Sequence, residues 1–357
     1  MNILYALSGQ GFGHAIRSKT VIDFLRKRGH LVKIVTYGQG LKLMKKWFPE
    51  ETIEIKGYRF YFLAGRLLGS VLTIKVFKDL PLFVSKNFSL LKRVIKNFQI
   101  KLIINDFEPF SRWFARATNI PLITIDNQLT SQLCRVSFPL KYFSEFMSIK
   151  ILEFLYPLGD YRFVTSFNPK LTPVRKIFCP NTFIVPSILR KEIFEFKPKK
   201  ENFILVYQTA PIYKKKLFKI FRKFPQEKFI CYNLGLPSKT RNIILKKFAE
   251  KEFLEDLSKA KAIIINGGFT LMSEAIYLKK PILSFPIKGD FEQILNGLLL
   301  EKSGYGIFSQ KIEEKILEKF LKNLPTFEKK LEKYQQEKNF IFEKKLERVL
   351  NKIEIEV

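Results

Sequence analysis

The run Asn2-Ile3-Leu4-Tyr5-Ala6-Leu7-Ser8-Gly9-Gln10-Gly11-Phe12-Gly13-His14-Ala15 decides how the first half of the chain folds. Residues 2–7 form a short, mostly apolar run that ends in a glycine-rich turn, the pattern of a strand covered on both faces. Gly9, Gly11 and Gly13 permit a tight turn with a bare backbone. A helical pattern over 15–28 follows, and then a second strand over 31–37, Leu-Val-Lys-Ile-Val-Thr-Tyr. A helix that opens after such a turn aims its first N–H groups at whatever anion occupies the turn.

Working outward, the alternation continues. Residues 101–105 and 121–125 read as later strands with a helix between them. The pattern restarts near residue 202, with strands at 203–207, 229–232, 262–265 and 281–284 and a basic helix around 213–224. A Pro-rich stretch with Pro169, Pro173, Pro180, Pro186 and Pro198 separates the halves and reads as a linker. The fold class is therefore α/β, two Rossmann-like doubly wound domains with the carboxyl ends of both sheets facing a central cleft. The expected limits are 1–185 for the first domain and 186–325 for the second, with a helical tail over 326–357 after a break at Pro325. In that tail Leu346, Val349, Leu350 and Ile353 recur at helical spacing, so the last helix should pack on a domain.

A length of 357 residues suits two domains, and 46% hydrophobic residues suits a folded chain. The 37 Phe against two Trp carry no functional reading. Sixty-three Lys and Arg against 33 Asp and Glu leave a formal charge of +30, which draws anions such as an acidic membrane leaflet, phosphorylated small molecules or nucleic acid. Cys134, Cys179 and Cys231 are odd in number and widely spaced, so neither a disulfide framework nor a zinc site follows, and a reducing cytoplasm fits. No signal-peptide pattern precedes the first strand, and no uncharged apolar run reaches 18 residues.

Three loops after strands carry the candidate chemistry. The first, Ser8 to His14, departs from the dinucleotide fingerprint, since its third glycine comes one residue early. His14 follows it and reads equally as a general base or as a packing or capping residue, whereas His30, between a helix and a strand, reads as structural. The second loop is Asn105-Asp106-Phe107-Glu108-Pro109. A carboxylate there can orient His14 or cap the next helix, and Asp106 is a better orienter candidate than Glu108. Asp126-Asn127-Gln128 is a similar, weaker polar cluster. The third loop runs from Asn266 through Gly267, Gly268, Thr270, Ser273 and Glu274 to Gln293 and Asn296. Its glycines let backbone N–H groups approach a diphosphate, its hydroxyls can donate, and Glu274 can accept both ribose hydroxyls.

Gly267-Gly268-Phe269-Thr270 with Glu274-Ala275, a proline seven residues later at Pro281, and Glu292-Gln293 with Asn296 resembles the nucleotide-sugar motif of GT-B glycosyltransferases. It is most similar to the family 28 group, which includes the peptidoglycan lipid-intermediate N-acetylglucosaminyltransferase and the monogalactosyldiacylglycerol synthases. Gly11-Phe12-Gly13-His14-Ala15-Ile16-Arg17 and the Asn105–Pro109 piece look like an archaeal and bacterial subgroup of that family. The resemblance implies His14 as general base and Asp106 as its partner. It also implies Gly267, Gly268 and Thr270 near the diphosphate, Glu274 on the ribose, Gln293 on the donor sugar, and base-recognising backbone near Phe253 or Leu254; the loops read by themselves add Gly11 and Gly13 in the first turn, Ser273 as a further hydroxyl donor and Asn296 within reach of the sugar. The reaction so implied is an inverting transfer from a UDP-sugar to an acceptor hydroxyl, with no cofactor and no metal.

Residues 57–101 interleave apolar Phe60, Tyr61, Phe62, Leu63, Leu67, Leu68, Val71 and Leu72 with basic Arg59, Arg66, Lys75, Lys78, Lys86, Lys92, Arg93, Lys96 and Lys101, with Asp79 as their acid. That composition reads either as a surface for anionic lipid or as core helices with solvated lysines. The first reading suits a lipid or lipid-linked acceptor and a cytoplasmic enzyme peripheral to the membrane. The alternatives are a UDP-N-acetylglucosamine 2-epimerase-like enzyme, or a non-catalytic binder of a nucleotide-sugar or nucleic acid; no nucleic-acid module is recognisable.

Overall fold

The computed structural model describes residues 1–57, 62–63, 66–67, 69–154, 156–168, 180–209 and 213–356, with backbone only for 62–63, 66–67, 69–80 and 151–154. Arg59, Phe60, Tyr61, Leu68, Pro169, Pro173 and Cys179 lie outside the described residues, as do the side chains of Phe62, Leu63, Arg66, Leu67, Val71, Leu72, Lys75, Lys78 and Asp79.

In chain order the first half carries β1 (Asn2–Leu7), α1 (Phe12–Lys27), β2 (Leu31–Thr36), α2 (Gly38–Trp47), β3 (Thr52–Glu54), the antiparallel pair β4 (Phe62–Leu63) and β5 (Arg66–Leu67), α3 (Gly69–Phe98), β6 (Leu102–Asp106), α4 (Pro109–Thr118), β7 (Leu122–Asp126), α5 (Leu129–Leu133), α6 (Phe143–Phe154), β8 (Tyr161–Ser166) and β9 (Thr182–Pro186). The second half carries β10 (Ile204–Tyr207), α7 (Lys214–Phe221), β11 (Phe229–Tyr232), β12 (Ser238–Thr240), β13 (Ile243–Lys246), α8 (Glu250–Lys259), β14 (Ala262–Ile265), α9 (Phe269–Tyr277), β15 (Ile282–Ser284), α10 (Phe291–Ser303), β16 (Gly306–Phe308), α11 (Glu314–Lys322), α12 (Leu324–Glu332) and α13 (Phe340–Glu356). The chain divides into two compact units. One comprises Met1–Tyr61, Leu68–Arg190 and Glu337–Val357; the other comprises Phe62–Leu67 and Lys191–Gln336.

The first unit is built on a parallel sheet in the order β3-β2-β1-β6-β7-β8-β9. Strand β1 is covered on both faces, as its apolar run requires. Ile3, Tyr5 and Leu7 point to one side with Val21, Ile22 and Leu25 of α1, while Leu4 and Ala6 point to the other with Leu91 of α3 and Phe114 of α4. The order reverses between β1 and β6, so the loops that follow those two strands open at the switch point of the sheet, where doubly wound folds bind ligands. The second unit repeats the plan in the order β12-β13-β11-β10-β14-β15-β16, parallel except for the antiparallel edge pair β12–β13. Its switch point falls between β10 and β14.

Two boundaries differ from the sequence reading. Helix α1 begins at Phe12 rather than near residue 15, because Gly11 takes φ 74° as its N-cap. Gly13 and His14 are therefore in its first turn. The Pro-rich stretch contains a strand, β9, at the edge of the first sheet and ending in Pro186, where a missing N–H is tolerated.

The last helix returns to the first unit. Phe342, Leu346, Val349, Leu350 and Ile353 of α13 are buried in the same core as Ile3, Tyr5 and Val32. The Asn339 side chain fixes the return, accepting from Leu189 N at 3.0 Å and donating to Leu189 O at 2.8 Å. Leu346→Ala should lower unfolding free energy by about 2–5 kcal/mol in denaturant titration. Ile355→Ala, at an 88% exposed position of the same helix, should change it by less than about 0.5 kcal/mol.

Candidate active site

The turn after β1 is shaped by close backbone packing. A Cβ on Gly9 would stand 1.9 Å from the Tyr37 carbonyl oxygen, so only glycine fits. The α1 N-terminus has no side-chain cap and no acid in its first turn. His14 projects from that turn, and Arg17 and Ser18, three and four residues on, share its face.

All three side chains converge on Asp106, the last residue of β6. Its Oδ1 accepts from His14 Nδ1 at 2.7 Å and from Arg17 Nη2 at 2.5 Å, and its Oδ2 accepts from Arg17 Nε at 2.8 Å and Ser18 Oγ at 3.2 Å. Parallel register sets Leu7 opposite Asp106, and Ser8 N donates to Asp106 O at 2.9 Å. Asp106 is fully buried, Arg17 nearly so, and the His14 side chain keeps 14% exposure. Burial by itself would push the Asp106 carboxyl up; Arg17 and then His14 outweigh that and hold it well below the usual carboxylate range. The Arg17 guanidinium, penalised by burial, is nonetheless held above its ordinary value by Asp106.

The capping role falls to Glu108, whose oxygens accept from Phe110 N at 3.0 Å and Ser111 N at 2.7 Å at the start of α4. Asp126 also has a structural assignment: it accepts from Arg112 Nη2 at 2.7 Å and from Leu129 N at 2.7 Å. Asn127 accepts from Arg17 Nη1 at 3.0 Å and so ties β7 to the His14 cluster. Phe107, between the two carboxylates, adopts φ 55° and lays its ring parallel to the His14 imidazole, centroids 6.0 Å apart. A bulky residue in the left-handed region beside a polar cluster is a feature of functional sites. His30 lies elsewhere, beside the Met1 amine and Glu354.

In the second unit the loops after β10, β14 and β15 are laced by amides. Asn266 accepts from Thr209 N at 2.8 Å and donates to Phe285 O at 3.2 Å. Asn296 donates to Gly267 O at 3.1 Å, and Gln293 Oε1 accepts from Ile287 N at 3.1 Å. Gly267 takes φ 113°, and a Cβ there would meet Gln293 O and Ser284 Oγ at 3.0 Å, whereas the corresponding space at Gly268 is open. Gly268 caps α9 without a side-chain bond, which leaves an exposed backbone edge at the helix N-terminus. Thr270, Ser273 and Glu274 follow within α9; Ser273 and Glu274 are buried. Ser284 Oγ, at the end of β15, is buried without a protein partner.

The structure thus brings Gly267, Gly268, Thr270, Ser273 and Glu274 together at one helix start and assigns Gln293 and Asn296 to holding the loop. Phe253 and Leu254 are buried inside α8, and Phe253 N already donates to Ala249 O at 2.8 Å, so that N–H is not offered to a nucleobase. Arg17, Ser18, Phe107 and Asn266 take part in these contacts although the sequence reading gave them no individual role, and Asn127 was read only as part of a weaker polar cluster. The i, i+3, i+4 spacing of His14, Arg17 and Ser18 was the available signal for two of them.

The profile described as Glycosyl transferase family 1 matches residues 1–325. The chain belongs to this family. A Methanosarcina mazei protein named an uncharacterized glycosyltransferase is 26% identical over 336 residues, covering 86% of this chain and 85% of that one. Among solved structures, the glycotransferase of kitacinnamycin superposes with TM-score 0.68 at 14% identity, covering 97% of this chain and 98% of the other. A spinosyn rhamnosyltransferase complexed with thymidine diphosphate superposes with TM-score 0.63 at 12% identity, covering 94% and 95%. The two parallel-dominated sheets are those of the GT-B fold, and the protein is a glycosyltransferase.

In this glycosyltransferase, Asp290 caps α10 by accepting from Gln293 N. Burial, with Glu292 adding to it, pushes its carboxyl up to about 7. The folded chain therefore holds that proton more tightly than the unfolded chain, whose Asp titrates near pH 4, and stability falls as pH rises from about 4 to about 7. Asp290→Asn keeps a capping oxygen and cannot ionise. Thermal melts across pH 4–8 should show a shallower decline for the variant; an unchanged slope would exclude Asp290 as its source.

Proposed function

We propose that the enzyme transfers a sugar, a hexose or N-acetylhexosamine, from a UDP-sugar to an acceptor hydroxyl with inversion at the anomeric carbon. The observation that carries the base assignment is the 2.7 Å contact between His14 Nδ1 and the buried, ionised Asp106. With Nδ1 turned to the carboxylate, the other ring nitrogen, Nε2, takes the proton from the acceptor hydroxyl. The alkoxide forms a bond to the anomeric carbon as the bond to the leaving diphosphate breaks. Asp106 stabilises the imidazolium that results, as in other base–orienter pairs.

The second unit supplies the donor half. In this reading the uncapped α9 N-terminus, where Gly268 is exposed, faces the diphosphate, with Gly267, Thr270 and Ser273 beside it and Glu274 toward the ribose. A nucleoside diphosphate is bound by the spinosyn rhamnosyltransferase complexed with thymidine diphosphate, which supports a nucleoside-diphosphate donor here. The family 28-like motifs favour uridine as the nucleoside. Stabilising the leaving group by backbone dipoles makes a metal-independent reaction the expected one.

A lipid or lipid-linked acceptor at an anionic membrane surface is supported by exposed apolar side chains in the first unit. Leu82 on α3 is 55% exposed, and Leu140, Phe143 and Met147, at helical spacing on and before α6, are 85%, 53% and 40% exposed. Lys86, Lys92, Arg93, Lys96 and Lys101 are also exposed. Apolar anchors within a strongly basic surface suit peripheral binding. Among the described residues no helix is long and apolar enough to cross a membrane.

The test is turnover by the purified protein on a panel of UDP-, GDP- and TDP-sugars, with and without anionic vesicles. His14→Ala should lower turnover by about 100-fold or more; a rate equal to wild type would remove it as the base. Glu274→Ala should raise the donor KM and leave acceptor binding unchanged. An unaltered donor KM would sink the ribose contact.

A further inference from the structure

Asp106 is contacted by two cation-capable side chains at once. A carboxylate only accepts, so the 2.7 Å contact to Oδ1 places a proton on His14 Nδ1, and in the neutral ring Nε2 then keeps its lone pair. Arg17 Nη2 lies 3.2 Å from the same Nδ1. A guanidinium only donates and cannot hydrogen-bond a nitrogen that already bears a proton. It is therefore a fixed positive charge beside the ring. Its plane is locked by both Asp106 oxygens and by Asn127 Oδ1.

The imidazole thus faces an anion and a cation on one side. From β6 it meets Asp106, and from its own helix Arg17 and the Ser18 hydroxyl; Tyr5 on β1 lies behind Asp106, and Asp126 on β7 is already paired with Arg112 of α4. The flat neighbour Phe107 carries no charge. A carboxylate with no countercharge favours the imidazolium form of any histidine hydrogen-bonded to it, and an imidazolium has no lone pair with which to accept a proton.

We infer that Arg17 is a positioning residue that neutralises Asp106, so that the carboxylate orients His14 without trapping it in the protonated form. This rests on the reading of His14 as the base. It adds that the base is kept free by a buried cation three residues along the same helix. Ser18 and Asn127 support the arrangement without carrying charge.

The chain has two histidines, so ¹⁵N-histidine NMR follows His14 directly, with His30→Gln assigning the signals. Above its midpoint, wild-type His14 should show the Nδ1–H tautomer. In Arg17→Met the His14 midpoint should rise by about one pH unit or more, a tenfold or greater gain in proton affinity. Arg17→Lys, which keeps the charge, should return the midpoint most of the way, and Asp106→Asn should lower it. An unchanged midpoint in folded Arg17→Met protein overturns the inference, as does an Nε2–H tautomer in the wild type. The tautomer measurement needs no variant, so the inference stays testable if Arg17→Met does not fold. None of these readouts requires turnover. Full activity in His14→Ala would defeat the base reading alone and leave the titrations as they are.

Discussion

The bidentate pairing of Arg17 with Asp106 is the constraint on which the first unit's site depends. Both groups are removed from water, and taking either charge out of water costs several kcal/mol unless a partner compensates it. Breaking such a pair by deleting one member typically costs about 3–5 kcal/mol, because the other charge stays buried and unmatched. The pair therefore fixes α1 against β6, and through Asn127 it fixes β7 as well. His14 is added to a carboxylate whose position and ionisation are already determined. A second buried pair, Arg112–Asp126, repeats the device one strand along, with Asn105 accepting from Arg112 Nε at 2.6 Å. Two arginines thus neutralise the carboxylates that gather at the strand ends, and Glu108 is satisfied by the backbone of α4.

The second unit solves a different problem with neutral groups. A helix N-terminus left without a side-chain cap favours negative charge nearby, which is the setting of the proposed diphosphate contact. Asn266, Gln293 and Asn296 hold the loops through amide hydrogen bonds that carry no charge. Gly267 is required both by its positive φ and by the approach of Ser284 and Gln293, whereas Gly268 leaves space open at the helix start. The acid at the next helix, Asp290, is turned to its own N-cap and disfavours ionisation. The first unit thus gathers charged side chains around His14, and the second ties its loops with uncharged amides.

Much of this was legible in the sequence, for identifiable reasons. Buried parallel strands read as short apolar runs, so β1, β2, β6, β7, β10, β11, β14 and β15 were placed to within a residue or two. Strands β3, β12 and β16 were not, because each is three residues long and lies at a sheet edge, where no apolar run is demanded; β8 and β13 are interior, but Arg162, Thr165 and Ser166 break the apolar run of β8, and β13 is only four residues long. All three residues of β12 are exposed. Strand β9 was hidden within the Pro-rich stretch, since an edge position admits the proline that an interior strand would reject.

The amino-acid sequence by itself determined the α/β class, the two restarts of the pattern, the glycine turns and the candidate pairing of His14 with Asp106. These follow from local rules: periodicity, turn chemistry and the placing of polar residues after strands. Only the tertiary structure decided which partners each carboxylate contacts. Asp106 meets His14 because parallel register sets it beside the end of β1, while Glu108, two residues on, reaches the α4 backbone instead. It also decided that Arg17 is turned inward, that Asn296 serves the loop, and that the last helix closes the first unit's core. Each of these depends on contacts between segments tens to hundreds of residues apart, which spacing along the chain does not encode.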